Sequence, residues 1–530
     1  MVLGPFCRCS SGALMKHILS RPLSWKHNTA AQCSPTQPLQ HLPAEIFIEI
    51  AGFLELPELL RLSITSSHLR TLLLPAMYRS ISLESSRACL SGLAMLSNHL
   101  GLCIYVRSLI LRPNYPIACW PRPYGPVSET DLAQAVERLL PHLKNLQKFE
   151  WGGAQLPPDS LWVTLRTACP ELRKVYSTAG SRLIDPDCEL FKFENLTGFA
   201  LSVLFCEEDL VQTGIPLQLW DMLLNRCPDL EELTLRLFYS SHNLREMDKL
   251  TSGIFPNLRS LHIEIWFYNR DPVFSQPSVE LLGPFLSAHP SIRELSILPY
   301  TSNSDGRDPD TLPLFLAPAA LPRLTSFVGV YQHLGELPNL EALETLDLTG
   351  NPIGGACIEV VARILNRLVS LRSLDIRLAD PLLLRDVTFA CSGLRKLRVM
   401  FGVKFGLKTL KDISLELNNL PHLRSFTLYK SHRLVDETML RCALLILTDN
   451  PRLDEVQLAW FVWPQFGRRQ NGSYLVMTDD QNRRYFDVWE RGVRSPGMGG
   501  AVFDRRFRYP LETKINLRGS VSKALARVRR

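Results

Sequence analysis

The sequence has no run of about 18 apolar residues, so we expect no membrane-spanning helix and no membrane partner. It also lacks the short motifs H-E-x-x-H, G-x-S-x-G and G-x-x-x-x-G-K-[ST] that mark metallopeptidases, serine hydrolases and nucleotide-binding enzymes. The glycine cluster at 497–500 is not placed between a strand and a helix, as a phosphate-binding loop would be. We therefore expect no enzymatic activity, no catalytic residue and no cofactor.

The sequence also lacks Cys and His residues at the spacing of a metal site. The 13 cysteines are irregularly spaced, and Cys7 and Cys9 have no second Cys or His pair at the separation that zinc sites use. Large intracellular proteins keep their thiols reduced and use buried cysteine as a small apolar residue. We predict a protein of the cytoplasm or nucleus that holds no metal ion.

The first 40 residues contain four basic side chains and no acidic one. This composition permits a mitochondrial presequence, but the abundance of Ser, Thr and Gln also fits a disordered tail, which we favour for residues 1–40. The apolar stretches of this segment are too short and broken for a secretory signal peptide.

What the sequence does contain is one short motif, L-x-x-L-x-L, in thirteen copies. The copies begin at residues 106, 146, 172, 196, 230, 258, 292, 324, 343, 371, 394, 423 and 453. Amphipathic segments lie between them, and several end in a proline two residues before the next copy, as at Pro170, Pro228, Pro290 and Pro451. Because proline ends a helix, each unit is predicted to run helix, turn, strand.

This spacing resembles the leucine-rich repeat, which has a period of about 20 to 29 residues with one strand and one helix in each unit. The resemblance implies an α/β fold over residues 86–462, a right-handed solenoid with a parallel concave sheet. Two inserts, 113–128 and 300–313, interrupt the repeats and are predicted to be loops.

Residues 41–85, ahead of the repeats, follow a helical pattern. Pro43 suits an early helix position, where a missing N–H costs nothing, and apolar residues then recur every three or four positions. The first apolar stripe comprises Ile46, Ile50, Phe53 and Leu54, and the second, after Pro57, comprises Leu59, Leu62, Leu69, Leu72 and Leu73. A segment this short buries too little surface to be stable alone, so we expect it to pack against a partner.

This ordered set, closed by Leu-Pro-Ala-Met-Tyr-Arg-Ser-Ile at 74–81, resembles the F-box of fungal proteins. The F-box is a short all-α module that docks a protein onto the Skp1 adaptor of a cullin-RING ubiquitin ligase. The resemblance implies Skp1 contacts at Leu42, Pro43, Ile46, Ile50, Leu54, Leu59, Leu62 and Leu69. An ordinary helical hairpin that caps the repeats is the alternative, and many F-boxes carry an aromatic residue where this chain has Leu69.

In a leucine-rich repeat the residues between the apolar strand positions face the concave surface. Aromatic and arginine side chains carry most of the affinity in protein interfaces. We therefore predict target-protein contacts at Trp266, Asp375, Arg377, Lys396, Arg398 and Tyr429.

The last 50 residues contain 13 Lys and Arg against 4 Asp and Glu, a net charge of +9, whereas the whole chain has +7. The rest of the chain is therefore at 7 − 9 = −2. Residues 463–530 are predicted to form a cap over the last repeat, followed by a basic tail. Because the repeats themselves are not basic, we do not expect nucleic acid as a partner.

Together the two resemblances imply a substrate-recognition subunit of an SCF (Skp1–cullin–F-box) ubiquitin ligase. Its partners would be a Skp1-like adaptor, a cullin reached through that adaptor, and an unknown target protein bound by the repeats. The alternative is a leucine-rich-repeat scaffold that binds partners without ligase coupling.

Overall fold

The computed structural model of the chain describes residues 43–54, 56–113, 128–180, 184–203, 216–239, 247–267, 282–301, 314–430, 438–462, 468–478, 484–493 and 502–511. The predictions for residues 1–40, for Leu42, for most of the two inserts and for the end of the basic tail lie outside these residues. The chain divides into two compact units, Met1–Arg323 and Leu324–Arg530.

The described part of unit 1 starts with three helices, α1 (Ala44–Phe53), α2 (Leu56–Ser63) and α3 (Ser67–Tyr78). Helices α1 and α2 both pack on α3, which also contacts the 3-10 helix Leu100–Tyr105 in the first repeat. We call these three helices the α1–α3 hairpin. Its interior is apolar and contains Phe47 and Ala51 from α1, Leu59 and Leu60 from α2, and Leu69 and Leu73 from α3. These helices are thus connected to the repeats by packing as well as by sequence.

Eight strands of unit 1 pair in chain order, each parallel to the next. They are β1 (Ser80–Leu83), β2 (Ser108–Leu111), β3 (Lys148–Trp151), β4 (Lys174–Ala179), β5 (Gly198–Val203), β6 (Glu232–Tyr239), β7 (Ser260–Phe267) and β8 (Glu294–Thr301). Seven copies of the L-x-x-L-x-L motif supply β2 to β8. The leucines alternate with polar residues because successive strand side chains point to opposite faces of the sheet.

Helices alternate with these strands. They are α4 (Ser86–Asn98), α5 (Glu129–Leu139), α6 (Asp159–Ala168), α7 (Leu217–Asp221), α8 (Met247–Thr251) and α9 (Leu282–Ala288). Ser85 and Ser128 cap α4 and α5 by accepting a hydrogen bond at 3.2 Å from the backbone N–H three residues on. Helix α7 continues as a π-helix, Met222–Arg226.

The described residues of unit 2 form six strands that pair in parallel and three that pair antiparallel. The parallel strands are β9 (Ser326–Val328), β10 (Thr345–Ile353), β11 (Ser373–Leu378), β12 (Lys396–Phe401), β13 (Ser425–Lys430) and β14 (Glu455–Val462). The antiparallel strands, which extend the sheet from β14, are β15 (Arg468–Thr478), β16 (Arg484–Val493) and β17 (Val502–Pro510). Its helices are α10 (Gly355–Leu365), α11 (Leu384–Ala390), α12 (Leu407–Glu416) and α13 (Met439–Asp449).

Several helices are followed by a buried residue whose side chain forms a hydrogen bond with the neighbouring repeat. Asn450, just after α13, donates to the Ser414 carbonyl at 2.8 Å and to the Ser414 hydroxyl at 3.2 Å. His289, just after α9, accepts from the Phe255 N–H at 2.9 Å. These junctions are the ones that the proline spacing predicted. The hydrogen bonds connect consecutive repeats within a unit.

The structure confirms the α/β class and the long, mostly parallel sheet, an arrangement consistent with a repeat solenoid. The right-handed sense, the concave shape and the domain limits stay predictions.

Candidate functional site

Helix α1 presents a row of apolar side chains to the exterior. Ile46, Ile50 and Phe53 are three or four residues apart, so they lie on one face of the helix, where they are 41%, 39% and 85% exposed. Phe47 and Ala51 of the same helix are buried against the hairpin. The same helix therefore supplies both a core face and an outward face.

The other residues predicted to contact Skp1 have varied positions. Pro43 precedes α1 and is exposed, and Leu54 and Leu62 are half-buried. Leu59 and Leu69 are both only 4% exposed and belong to the hairpin interior. Their burial removes them from the exterior in this conformation, so their role is to hold the helices together.

The residues between the apolar positions form the second face of each sheet, which we call the polar face. In unit 1 its central residues are Lys148, Glu150, Lys174, Tyr176, Glu232, Thr234, Arg236, Ser260, His262 and Glu264. Equivalent positions of adjacent strands are in register, so each side chain has neighbours about 4.8 Å away across the sheet.

Cations and carboxylates pair across the polar face of unit 1. Arg112 Nη2 lies 2.5 Å from Glu150 Oε1, and Lys148 Nζ lies 3.3 Å from the other oxygen of the same carboxylate. Arg236 Nε lies 3.1 Å from Glu264 Oε2. These pairings neutralise much of the charge that the sequence places on this face.

One interaction on this face spans a whole strand. Lys174 on β4 and Glu232 on β6 form an ion pair of 2.7 Å over Gly198, which lies between them on β5. The Tyr176 hydroxyl donates to the second oxygen of Glu232. Burial opposes ionisation of Glu232, but the hydrogen bonds from Lys174 and Tyr176 lower its pKa below the ordinary value. Burial, reinforced by the bond to Glu232, raises the pKa of Tyr176.

The polar face of unit 2 contains two neighbouring carboxylates. Asp347, Asp375 and Arg398 occupy one register row on β10, β11 and β12. Arg398 Nη1 lies 2.5 Å from Asp375 Oδ2, whereas Asp347 accepts from the backbone N–H of Thr349 at 2.8 Å and from its hydroxyl. Lys396 is exposed on the same strand and face as Arg398.

Burial raises the pKa of Asp375 to about 7. The positive charges of Arg398 and Lys396 lower that pKa, and the negative charge of Asp347 raises it. The positive charge that Arg377, Lys396 and Arg398 place beside Asp375 is partly neutralised, because Arg398 already has a carboxylate partner. Arg377 lies two residues after Asp375 on β11, on the same face of the sheet, and is half-buried.

The two aromatic residues predicted to contact a target have different positions. The backbone of Trp266 lies in β7, and its side chain is outside the described residues. Tyr429 on β13 is 1% exposed, so the expectation of an exposed anchor there is wrong for this conformation. Its neighbour Lys430 is also buried and holds its Nζ 4.5 Å from the centre of the Phe405 ring.

Burial keeps several cysteines in the thiol form. It raises the pKa of Cys89, Cys169, Cys188 and Cys391 to about 12. Such thiols pack as small apolar side chains. Within the described residues, no three His, Cys, Asp or Glu side chains are grouped so that they could hold a metal ion.

Among the helices that the structure describes, none is both long and apolar enough to cross a membrane.

Sequence reasoning missed several residues of these surfaces. Phe53 belongs to the apolar stripe but not to the predicted contact set, although it is the most exposed large apolar residue of α1. Gly198 and Lys174 were not singled out at all. A sequence signal for their contact exists, because Lys174 and Glu232 occupy the same position of motifs that are two repeats apart, with Gly198 at that position of the motif between them.

The sequence matches no protein-family model. It also matches none of the curated proteins. Among solved structures the chain is similar to one described as "Crystal structure of Rad7 and Elc1 complex in yeast". The identity is 13%, the similarity covers 56% of this chain and 73% of that chain, and the TM-score is 0.34.

Proposed function

We propose that the chain is a non-catalytic target-binding subunit of an SCF-type ubiquitin ligase in the cytoplasm or nucleus. The α1–α3 hairpin docks on a Skp1-like adaptor and, through it, on a cullin. The repeats bind the target protein, and other subunits perform the catalysis.

The observation that carries this proposal is the outward apolar face of α1. Fully burying an exposed large apolar side chain contributes about 1.5–3 kcal/mol, and Phe53, at 85% exposed, would gain most of that on docking, with smaller gains from the remaining exposed surface of Ile46 and Ile50. An amphipathic helix that lays such a face into a groove is a common mode of protein recognition. The F-box resemblance of residues 41–85 supplies the identity of the partner.

The mechanism is proximity. A target held on the repeats keeps its lysine side chains close to the ubiquitin thioester for long enough to react, which replaces a bimolecular encounter with an effectively unimolecular one. The chain itself needs only two binding surfaces that act at the same time.

The adaptor surface is tested by co-purification with Skp1. Ile50→Glu with Phe53→Glu should abolish capture, because both side chains point outward and can be charged without disturbing the hairpin core. Val369→Glu with Leu382→Glu is the matched control, since these residues are 71% and 74% exposed elsewhere in the chain. Leu42→Ala with Pro43→Ala should also lose capture while circular dichroism stays unchanged.

Skp1 capture that persists in both double variants contradicts the adaptor assignment. A folded wild-type chain that captures target proteins but never Skp1 supports the scaffold alternative instead.

The target surface is tested by Arg377→Glu with Arg398→Glu. Reversing two charges in an interface costs several kcal/mol, so recovery of target proteins from cells should be lost while Skp1 capture is retained. Unchanged target recovery would exclude this part of the polar face.

A further inference from the structure

The row Asp347–Asp375–Arg398 contains two carboxylates and one guanidinium on three adjacent strands. Asp375 forms an ion pair with Arg398, whereas the Asp347 carboxylate accepts hydrogen bonds from Thr349. Within the described residues, the buried Arg398 Nε has no hydrogen-bond partner. The guanidinium is therefore engaged through one nitrogen, not through the two-pronged contact that makes arginine–carboxylate pairs strong.

The charges around Asp375 come from three strands. Asp347 faces it from β10, Arg398 and Lys396 face it from β12, and Arg377 shares its own strand. With every group ionised these five charges sum to +1, and with Asp375 protonated they sum to +2. A proton on Asp375 therefore strengthens the attraction of this surface for anions.

We propose that this part of the polar face binds an anionic protein segment in a proton-linked manner, with Arg398 transferred from Asp375 to the anion as Asp375 takes up a proton. This inference rests on the proposed role of the repeats in target binding and specifies the target chemistry. The segment carries carboxylate or phosphate groups, which Lys396 and Arg398 contact together.

The exchange balances in charge and protons. The anion forms a hydrogen-bonded ion pair with Arg398, the Arg398–Asp375 ion pair breaks, and one proton from solvent neutralises the Asp375 carboxylate that would otherwise be left buried without a cation. An unpaired buried charge is costly, so the proton and the anion bind cooperatively.

The experiment measures binding of a fluorescein-labelled oligoglutamate peptide to the full chain by fluorescence anisotropy. Because Asp375 has a pKa of about 7, its protonated fraction rises about tenfold between about pH 8 and about pH 6, and the affinity should rise by about the same factor. The glutamate side chains stay ionised throughout this interval.

Two variants identify the group responsible. Asp375→Asn removes the proton-binding carboxylate, so its affinity should be high and nearly independent of pH. Glu264→Gln makes the same change in the Arg236 ion pair of unit 1 and should keep the wild-type pH dependence. The other titratable residues are the same in wild type and Asp375→Asn, so a difference in pH dependence between these two proteins is caused by the substitution at Asp375.

A phosphoserine peptide of the same length distinguishes the source of the anion. Tighter binding of it indicates a phosphorylated target, and equal binding indicates an acidic one; both results support the proposal. An oligoglutamate affinity that is absent, that does not change with pH, or that keeps its pH dependence in Asp375→Asn overturns it. Skp1 capture by the same preparations is measured separately, so a failure here with capture intact leaves the adaptor assignment standing.

Discussion

Lys174 Nζ lies 2.7 Å from Glu232 Oε1 although a complete strand, β5, separates their own strands. The two side chains meet because the residue between them is Gly198. A Cβ at that position would lie 2.9 Å from Lys174 Cγ and 3.0 Å from the Tyr176 hydroxyl. The glycine therefore makes room for an ion pair that fixes three strands of the polar face relative to each other.

Gly198→Ala should displace Lys174 and Tyr176 and lower the free energy of unfolding by about 1–2 kcal/mol. Urea denaturation measures the loss. Gly101→Ala is the control, because a Cβ there meets nothing within 4 Å. In a Lys174→Met background the cost of Gly198→Ala should fall, and an undiminished cost would show that the ion pair is not the cause.

Asn450→Ala should lower the free energy of unfolding by about 2–3 kcal/mol, since it removes three buried hydrogen bonds, to the Ser414 carbonyl, the Ser414 hydroxyl and the Ile446 carbonyl. Asn418→Ala, at an exposed position after α12, should change stability by less than about 0.5 kcal/mol. Equal urea midpoints for the two variants would contradict the structural role of the helix junction.

The stability of unit 2 should depend on pH through Asp375. The pKa of this carboxyl is about 7 in the folded chain and near the ordinary 3.8 in the unfolded chain. Between these values only the folded state binds the proton, so stability falls as pH rises, by up to about 1.4 kcal/mol per pH unit. Thermal unfolding at a series of pH values measures this slope.

Asp375→Asn should remove that part of the slope, whereas Asp386→Asn, at an exposed position of α11, should not. A wild-type slope in Asp375→Asn would mean that another group titrates.

Truncation before Tyr485 should make the chain aggregate. It removes β16 and β17, so Tyr474 loses the edge contact with the Phe486 ring, at 5.6 Å between centres, and the hydrogen bond to Glu490. An unpaired strand edge beside exposed apolar side chains promotes association. Deleting only residues 520–530 should leave solubility and melting temperature unchanged, and light scattering compares the two truncations. A soluble long truncation with an unchanged melting temperature would exclude a stabilising role for the last strands.

Much of the fold is determined by local sequence. Each L-x-x-L-x-L motif after the first helices corresponds to one strand, because alternating burial repeats every two residues and is visible within six positions. Helix ends were equally local, since a proline after Cys169, Cys227, His289 or Asn450 stops the helix wherever the chain goes next. The apolar stripe of α1 was visible for the same reason.

The contacts of the candidate surfaces depend on the tertiary structure. Lys174 and Glu232 are 58 residues apart, and their meeting requires the register of three strands and the absence of a side chain at Gly198. The division of α1 into a buried side with Phe47 and an outward side with Phe53 depends on where α3 packs, which residue type alone does not specify. Tyr429 directly follows its motif, at a position that alternation assigns to the polar face, and is nevertheless buried. Periodicity determines which side of an element a residue is on, and only the packing of distant segments decides what covers it.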